Sequence, residues 1–380
     1  MSGRRIRFFR RTARGIGNAI DTLRGAGPDA PYIVGYRGFG TPDEVFVSGR
    51  VLSGQPVGPA AEQDPWWRNF ANTYRRMESD EIPGARVRIR LADAAREAIS
   101  GDQGYFRSWV SPSAPLSHER LWHPVGLDLL GTADPVSVAT THVLVPAPTA
   151  RFGIISDLDD TVIRTDATSM LRMLRGVLFA NARTRLPFEG VAGFYQALHR
   201  GSGAAANPVF YVSSSPWNLY DMVAEFLEHR RIPMGPLFLR DWGIRGSSLP
   251  FGHRSHKIDA IRQILDTYPA LPFILLGDSG QQDPEIYTEI VAHYPQRILG
   301  IYIRDVTGHA ERRTAIMELA DRVHDAGSVL VLAEDTVAAA RHAASMGWIT
   351  PEAVESVRID RSRDHGPGRP PPEHEPKVLE

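Results

Sequence analysis

Cysteine is absent from the 380 residues, which excludes disulfides, thiolate metal sites and a cysteine nucleophile, and fits a reducing compartment. Lysine is nearly absent as well. Lys257 and Lys377 are the only two, and arginine supplies the remaining basic charge. Lys377 falls in the terminal stretch, so Lys257 stands alone in the folded part. No run reaches the ~18–20 apolar residues of a membrane span, and no apolar segment of the secretory kind follows the basic start. A cytoplasmic protein is expected. The formal net charge of −1 provides no whole-molecule field that would draw nucleic acid, and none is expected as a partner. No internal repeat of solenoid or propeller period is present.

What remains is long enough for about two domains. Residues 1–27 carry Arg4, Arg5, Arg7, Arg10, Arg11, Arg14 and Arg24 against the single acid Asp21. The apolar positions Ile6, Phe9, Ala13, Ile16, Ile20 and Leu23 recur in steps of three and four, which marks one helix face. This basic amphipathic segment is expected to meet an anionic membrane surface. From 31 to 150, short β-like runs such as "EVFVSGRVL" and "ARVRIRL" alternate with Gly, Pro and Asp turns. They predict a small antiparallel β-sandwich, with a helical insertion over 64–84. From 151 to 350, apolar strands such as "FGIIS", "PVFYVS" and "LPFILLG" alternate with amphipathic helices, the signature of an α/β, doubly wound, mostly parallel sheet. Residues 360–380 have too little apolar content to pack and are expected to be disordered.

In a sheet of this kind, sites form at the carboxyl ends of the strands. Four features fall at such ends or at a helix start. Asp157, Asp159 and Thr161 follow the first strand, and Ser213 and Ser214 in "FYVSSSPW" follow the second. Lys257 opens a helix, and Asp278 with Asp283 in "GDSGQQD" follow a later strand. Each alone has a plain structural explanation: an aspartate turn, a serine helix cap, a solvated lysine or a strand-to-helix turn. All four in this order, with the one lysine of the folded part among them, point to phosphoryl transfer. In an extended segment residues i and i+2 point the same way, so Asp157, Asp159 and Thr161 share a face. One carboxylate can attack phosphorus, and the other can protonate the leaving alkoxide and then activate water. Mg²⁺ held by Asp157, Asp159 and Asp278 would offset the repulsion between carboxylate and phosphate dianion. Lysine adds a compact second positive charge, and hydroxyls with nearby N–H groups hold the remaining phosphoryl oxygens.

The order D157-L-D-D-T, S213, K257 and G277-D278-x4-D283 resembles the four motifs of the haloacid dehalogenase superfamily of aspartate-nucleophile phosphatases. The strings "SDLDDTVIRT", "YVSSSPWNLY", "HKIDAIRQIL", "FILLGDSGQQDPEIY" and "GIYIRDV" are more similar still to the catalytic domain of the actin-patch-associated phosphatidate phosphatase family. That resemblance covers roughly 150 to 306. It implies a Rossmann-like sheet of the haloacid dehalogenase type and Mg²⁺-dependent hydrolysis of phosphatidate to diacylglycerol and phosphate. Carried over residue by residue, Asp157 is the nucleophile, Asp159 the acid/base, and Ser213 and Lys257 hold phosphate, with Thr161 and Ser214 beside them. Asp278 and Asp283 are the acids on the metal side. Arg304 and Asp305 match the family without a role that can be derived. The N-terminal half resembles the sandwich attached in bacterial members. Two other readings stand beside this one: a phosphatase of a soluble phosphomonoester, and a non-catalytic scaffold that binds phosphorylated ligands.

Overall fold

The computed structural model describes residues 30–53, 81–131, 137–158, 189–240 and 253–365. Segment 1–27 lies outside them, as do most of the expected helix over 64–84 and both Asp159 and Thr161. The chain packs as two units, the first built mainly from residues up to Val143 and the second from Leu144 onward.

In the first unit alternation is clearest in β3 (Arg86–Leu91) and β6 (Trp122–Leu130). In β3 the three arginines face water while Val87, Ile89 and Leu91 are buried. With β1 (Pro31–Gly40), β2 (Val45–Ser53), β4 (Ala94–Ile99), β5 (Tyr105–Val110), β6 (Trp122–Leu130) and β7 (Val138–Leu144) it forms one seven-stranded sheet, ordered β4-β3-β6-β7-β1-β2-β5. The two strands at its ends, β4 and β5, are consecutive in the chain. A flat sheet would hold them about 29 Å apart, six spacings of ~4.8 Å, whereas the connection reaches at most about 20 Å. The sheet therefore curls until its edges meet. The antiparallel pairing expected from the sequence is observed, within one hydrogen-bonded sheet whose edge strands lie close together.

The second unit contains β8 (Gly153–Asp157), β9 (Val209–Pro216), β10 (Leu237–Arg240), β11 (Phe273–Asp278), β12 (Ile298–Arg304) and β13 (Val329–Ala333). All five neighbouring pairs are parallel. Their order is β10-β9-β8-β11-β12-β13, so the direction of travel reverses between β8 and β11. Open parallel sheets hold ligands at that reversal. Near-continuous apolar runs such as "FILL" and "FGII" are what strands covered on both faces require. Gly153 lets β8 lie close to β11, because a Cβ there would meet the Phe273 ring at 2.2 Å.

The described helices of this unit are α1 (Val191–Arg200), α2 (Tyr220–His229), α3 (His253–Thr267), α4 (Asp283–His293), α5 (Ala310–Asp325), α6 (Thr336–Ser345) and α7 (Pro351–His365). Helices α1, α6 and α7 pack on one another, and α3, α4 and α5 form a second set. Helix α7 corrects the expectation of disorder from 360. Asp360 and Asp364 accept the backbone N–H groups of Gly193 and Gly190, both at 2.8 Å, and Arg361 pairs with Asp335 at 2.6 Å. Polar side chains thus pin a segment whose apolar content is low. Among the described residues no helix is long and apolar enough to cross a membrane.

Candidate active site

Asp157 is the last residue of β8 and Asp278 the last of β11, the two strands flanking the reversal. Asp283 opens α4, five residues beyond Asp278. Lys257 reaches them from α3. Its Nζ lies 2.8 Å from Asp157 Oδ1, 2.9 Å from Asp283 Oδ1 and 2.8 Å from Gln281 Oε1. An ammonium has three N–H donors, and here three acceptors surround it. The Lys257 side chain is 4% exposed, Asp157 3% and Asp283 fully buried. Burial works to lower the lysine pKa, but Asp157 and Asp283 outweigh it and hold the ammonium above its ordinary range. Burial also pushes the Asp283 carboxyl up, with Lys257 opposing.

Glycine makes this closeness possible. A Cβ at Gly277 would meet the Asp283 side chain at 2.6 to 2.9 Å. Without one, Asp283 Oδ2 accepts the Asp278 N–H at 3.1 Å, and Asp278 Oδ1 accepts the Gly280 N–H at 2.8 Å. On the other side of β8, Asp157 is in register with Val212, which places Ser213 and Ser214 beside it. Both serines are buried. Ser213 Oγ accepts the Ser215 N–H at 3.0 Å, which leaves its own proton for another acceptor. Ser214 Oγ has no partner among the described residues, and strand alternation puts it on the Asp157 face.

Two contributors escaped sequence reasoning, and a third was named there without a role. Gln281 completes the lysine's shell but sits in a turn whose other residues explain it. Arg312 of α5 spans the loop 279–285, donating to Ser279 O at 2.9 Å, to Gln281 O at 2.6 Å and to both oxygens of Glu285. In a chain this rich in arginine, nothing singles it out. Asp305, matched to the family without a role, is a brace: it accepts from Ser279 Oγ at 3.3 Å, from the Gly308 N–H at 3.1 Å and from Arg313. Asp159 and Thr161 lie outside the described residues.

Asp157, Asp278 and Asp283 each offer a carboxylate oxygen, and these oxygens lie within 4.8 Å of one another. The three carboxylates share the ammonium of Lys257 and the field of Arg312, whose own charge is paired with Glu285, so a further positive charge is wanted there. An all-oxygen donor set of that size fits a hard divalent cation such as Mg²⁺.

Residues 152–305 match the family described as phosphatidate phosphatase APP1, catalytic domain. Over 190 residues the chain is 35% identical to phosphatidate phosphatase APP1 of Saccharomyces cerevisiae, a stretch covering 48% of this chain and 31% of that protein. It is 32% identical over 158 residues to an uncharacterized protein of Schizosaccharomyces pombe, covering 40% of this chain and 25% of that protein. The chain therefore spans a third or less of the length of these curated relatives. Among solved structures, a carbohydrate acetylesterase from Xanthomonas citri gives a TM-score of 0.26 at 10% identity, over 76% of this chain and 72% of that one, a likeness too low to carry an argument. The matched segment begins at the residue before β8 and ends at Asp305, just past β12, so it takes in Asp157, Ser213, Lys257, Asp278 and Asp283 together. In this region the chain is similar to the catalytic part of phosphatidate phosphatases, and that similarity supports a phosphatase enzyme.

Proposed function

We propose that the chain is a Mg²⁺-dependent phosphomonoesterase that hydrolyses phosphatidate to diacylglycerol and phosphate, on a sheet of the haloacid dehalogenase type. The observation that carries this reading is Asp157: a buried carboxylate at the end of a central strand, held by Lys257 at 2.8 Å beside Asp278 and Asp283. Asp157 attacks phosphorus, a new O–P bond forms and the ester P–O bond breaks. Asp159 gives its proton to the departing alkoxide, then takes one from the water that hydrolyses the phospho-aspartate. Lys257 keeps the Asp157 carboxylate ionised and oriented, and its charge attracts the phosphoryl group. The hydroxyls of Ser213, Ser214 and Thr161 hold its other oxygens. Asp157, Asp159 and Asp278 would hold Mg²⁺ with Asp283 behind them, and the ion would supply the charge that lets a carboxylate approach a phosphate dianion.

The choice of phosphatidate rests on the similarity of 152–305. The protein acts from the cytoplasm, peripheral to an anionic membrane surface reached through residues 1–27. The test compares dispersed phosphatidate with soluble sugar phosphates, with and without Mg²⁺, for the wild type and for Asp157→Asn. Mg²⁺-dependent turnover of phosphatidate that Asp157→Asn abolishes, with the circular dichroism unchanged, is expected. Turnover of soluble esters alone would replace the substrate. Substantial activity in the folded mutant would remove Asp157 as nucleophile.

A further inference from the structure

A second charged region lies apart from Asp157 and its neighbours, along helix α1. A groove of about 470 Å³ is lined by α1, by α7 and by the turn after α2. Small residues make the groove. A Cβ at Gly193 would meet Asp360 and Val357 at 3.1 to 3.2 Å, so α1 and α7 lie close together, and Ala197 and Ala353 fill little of the space beside them. Helices packed so closely on small residues leave room for longer side chains to stand around the rim.

Four of those side chains are arginines: Arg200 at the end of α1, Arg230 and Arg231 just past α2, and Arg363 on α7. None of the four guanidinium groups has an ion pair or hydrogen bond to another described residue, although Arg230 lies 6.0 Å over the Phe226 ring. Two acids share the lining. These are Glu352 and Asp360, the latter turned onto the Gly193 N–H at 2.8 Å, and Asp364 nearby acts on Arg230, so four guanidinium groups still outnumber the acids around them. Arg231 has a left-handed backbone with φ 55°, rare for a side chain with a Cβ, and its carbonyl is held by Gln196 Nε2 at 2.7 Å. Neighbouring guanidinium groups repel one another, and gathering four at one groove costs stability unless an anion joins them. Arg363 is exposed on its helix and could have pointed elsewhere without loss.

We propose that this groove binds a small polyanion carrying two or more phosphoryl groups, either free or as a lipid headgroup. Guanidinium forks engage phosphate in pairs of parallel N–H···O bonds, so four of them match two or three phosphoryl groups better than one. The volume lies in the range of small-molecule sites.

The test uses the full chain at low ionic strength in buffer with EDTA, which leaves the Asp157 carboxylates repulsive to anions. Inorganic tripolyphosphate is titrated by calorimetry, and phosphatidylcholine vesicles with and without bisphosphorylated phosphatidylinositol are co-sedimented. Saturable binding in either arm is expected, weakened at least ten-fold in Arg200→Gln/Arg363→Gln, with hydrolysis of a soluble aryl phosphate unchanged. Arg230→Gln serves as a second variant should the first fail to fold. A response to tripolyphosphate alone assigns a soluble ligand, and one to the vesicles alone a headgroup. Equal binding by wild type and folded variants overturns the proposal. So does the absence of saturable binding in both arms, or equal affinity for a glutamate peptide of the same charge.

Discussion

At the scale of single residues, Lys257 has the most demanding position, because its three donors meet three acceptors while its side chain is buried. Arginine keeps the charge but presents a planar fork, which cannot reproduce that arrangement. Lys257→Arg should lower phosphatase activity roughly 100-fold through misplacement of Asp157 and lower stability by about 3 kcal/mol. Kinetics and denaturant unfolding would check both, and near-normal kinetics would make the lysine incidental. Asp305 allows a pH test. Burial raises its carboxyl pKa, but the Gly308 N–H and Arg313 outweigh that and hold it below the ordinary 3.8. A carboxyl with a depressed folded pKa contributes stability above its unfolded value, and the contribution fades as pH falls through the folded one. Asp305→Asn should therefore lower Tm at pH 7, and the gap to wild type should close as pH falls from about 4. A gap constant with pH would show that the charge of Asp305 adds nothing.

At the scale of elements, the loop between β11 and α4 carries two of the carboxylates and is held from outside by α5. Arg312 joins two backbone carbonyls and Glu285 in one clamp. Arg312→Ala should leave the fold intact and raise the Mg²⁺ needed for half-maximal activity roughly ten-fold, as supporting residues around metal sites do. Arg312→Lys should not restore it, since a lysine cannot serve two carbonyls and a carboxylate at once. An unchanged Mg²⁺ dependence in both variants would reduce the clamp to packing. This element also shows where sequence reading stops. Asp157 and Asp278 were legible as charges at the ends of apolar strands, Asp283 by its spacing from Asp278 and Lys257 as the one lysine of the folded part, and the structure brings all four together. Arg312 was not, since its partners are backbone carbonyls some thirty residues away, which leave no trace in composition. Helix α7 escaped for the same reason, its hold being two carboxylates on the N–H groups of Gly190 and Gly193.

At the scale of the whole molecule, alternation of strands and helices announced a parallel sheet, and the pairing order then fixed the reversal at which the carboxylates meet. The curl of the first unit was not legible, because alternation reports which face is buried and not which strands become neighbours. Residues 1–27 contribute seven arginines against one aspartate. If they meet anionic lipid, each basic side chain is worth on the order of 1 kcal/mol near the surface. Deleting them should leave hydrolysis of a soluble aryl phosphate unchanged while lowering co-sedimentation with anionic vesicles, most of all at low salt. Equal sedimentation across a salt series would rule the segment out. The scarcity of lysine, finally, makes the protein its own reporter. Amine-directed reagents attack only the unprotonated form, and Lys257 is both enclosed and held as the cation. In the folded chain Lys257 is thereby shielded from such reagents. Any acylation of Lys257 found by mass spectrometry would therefore time the opening of the candidate active site, with no label introduced by mutation.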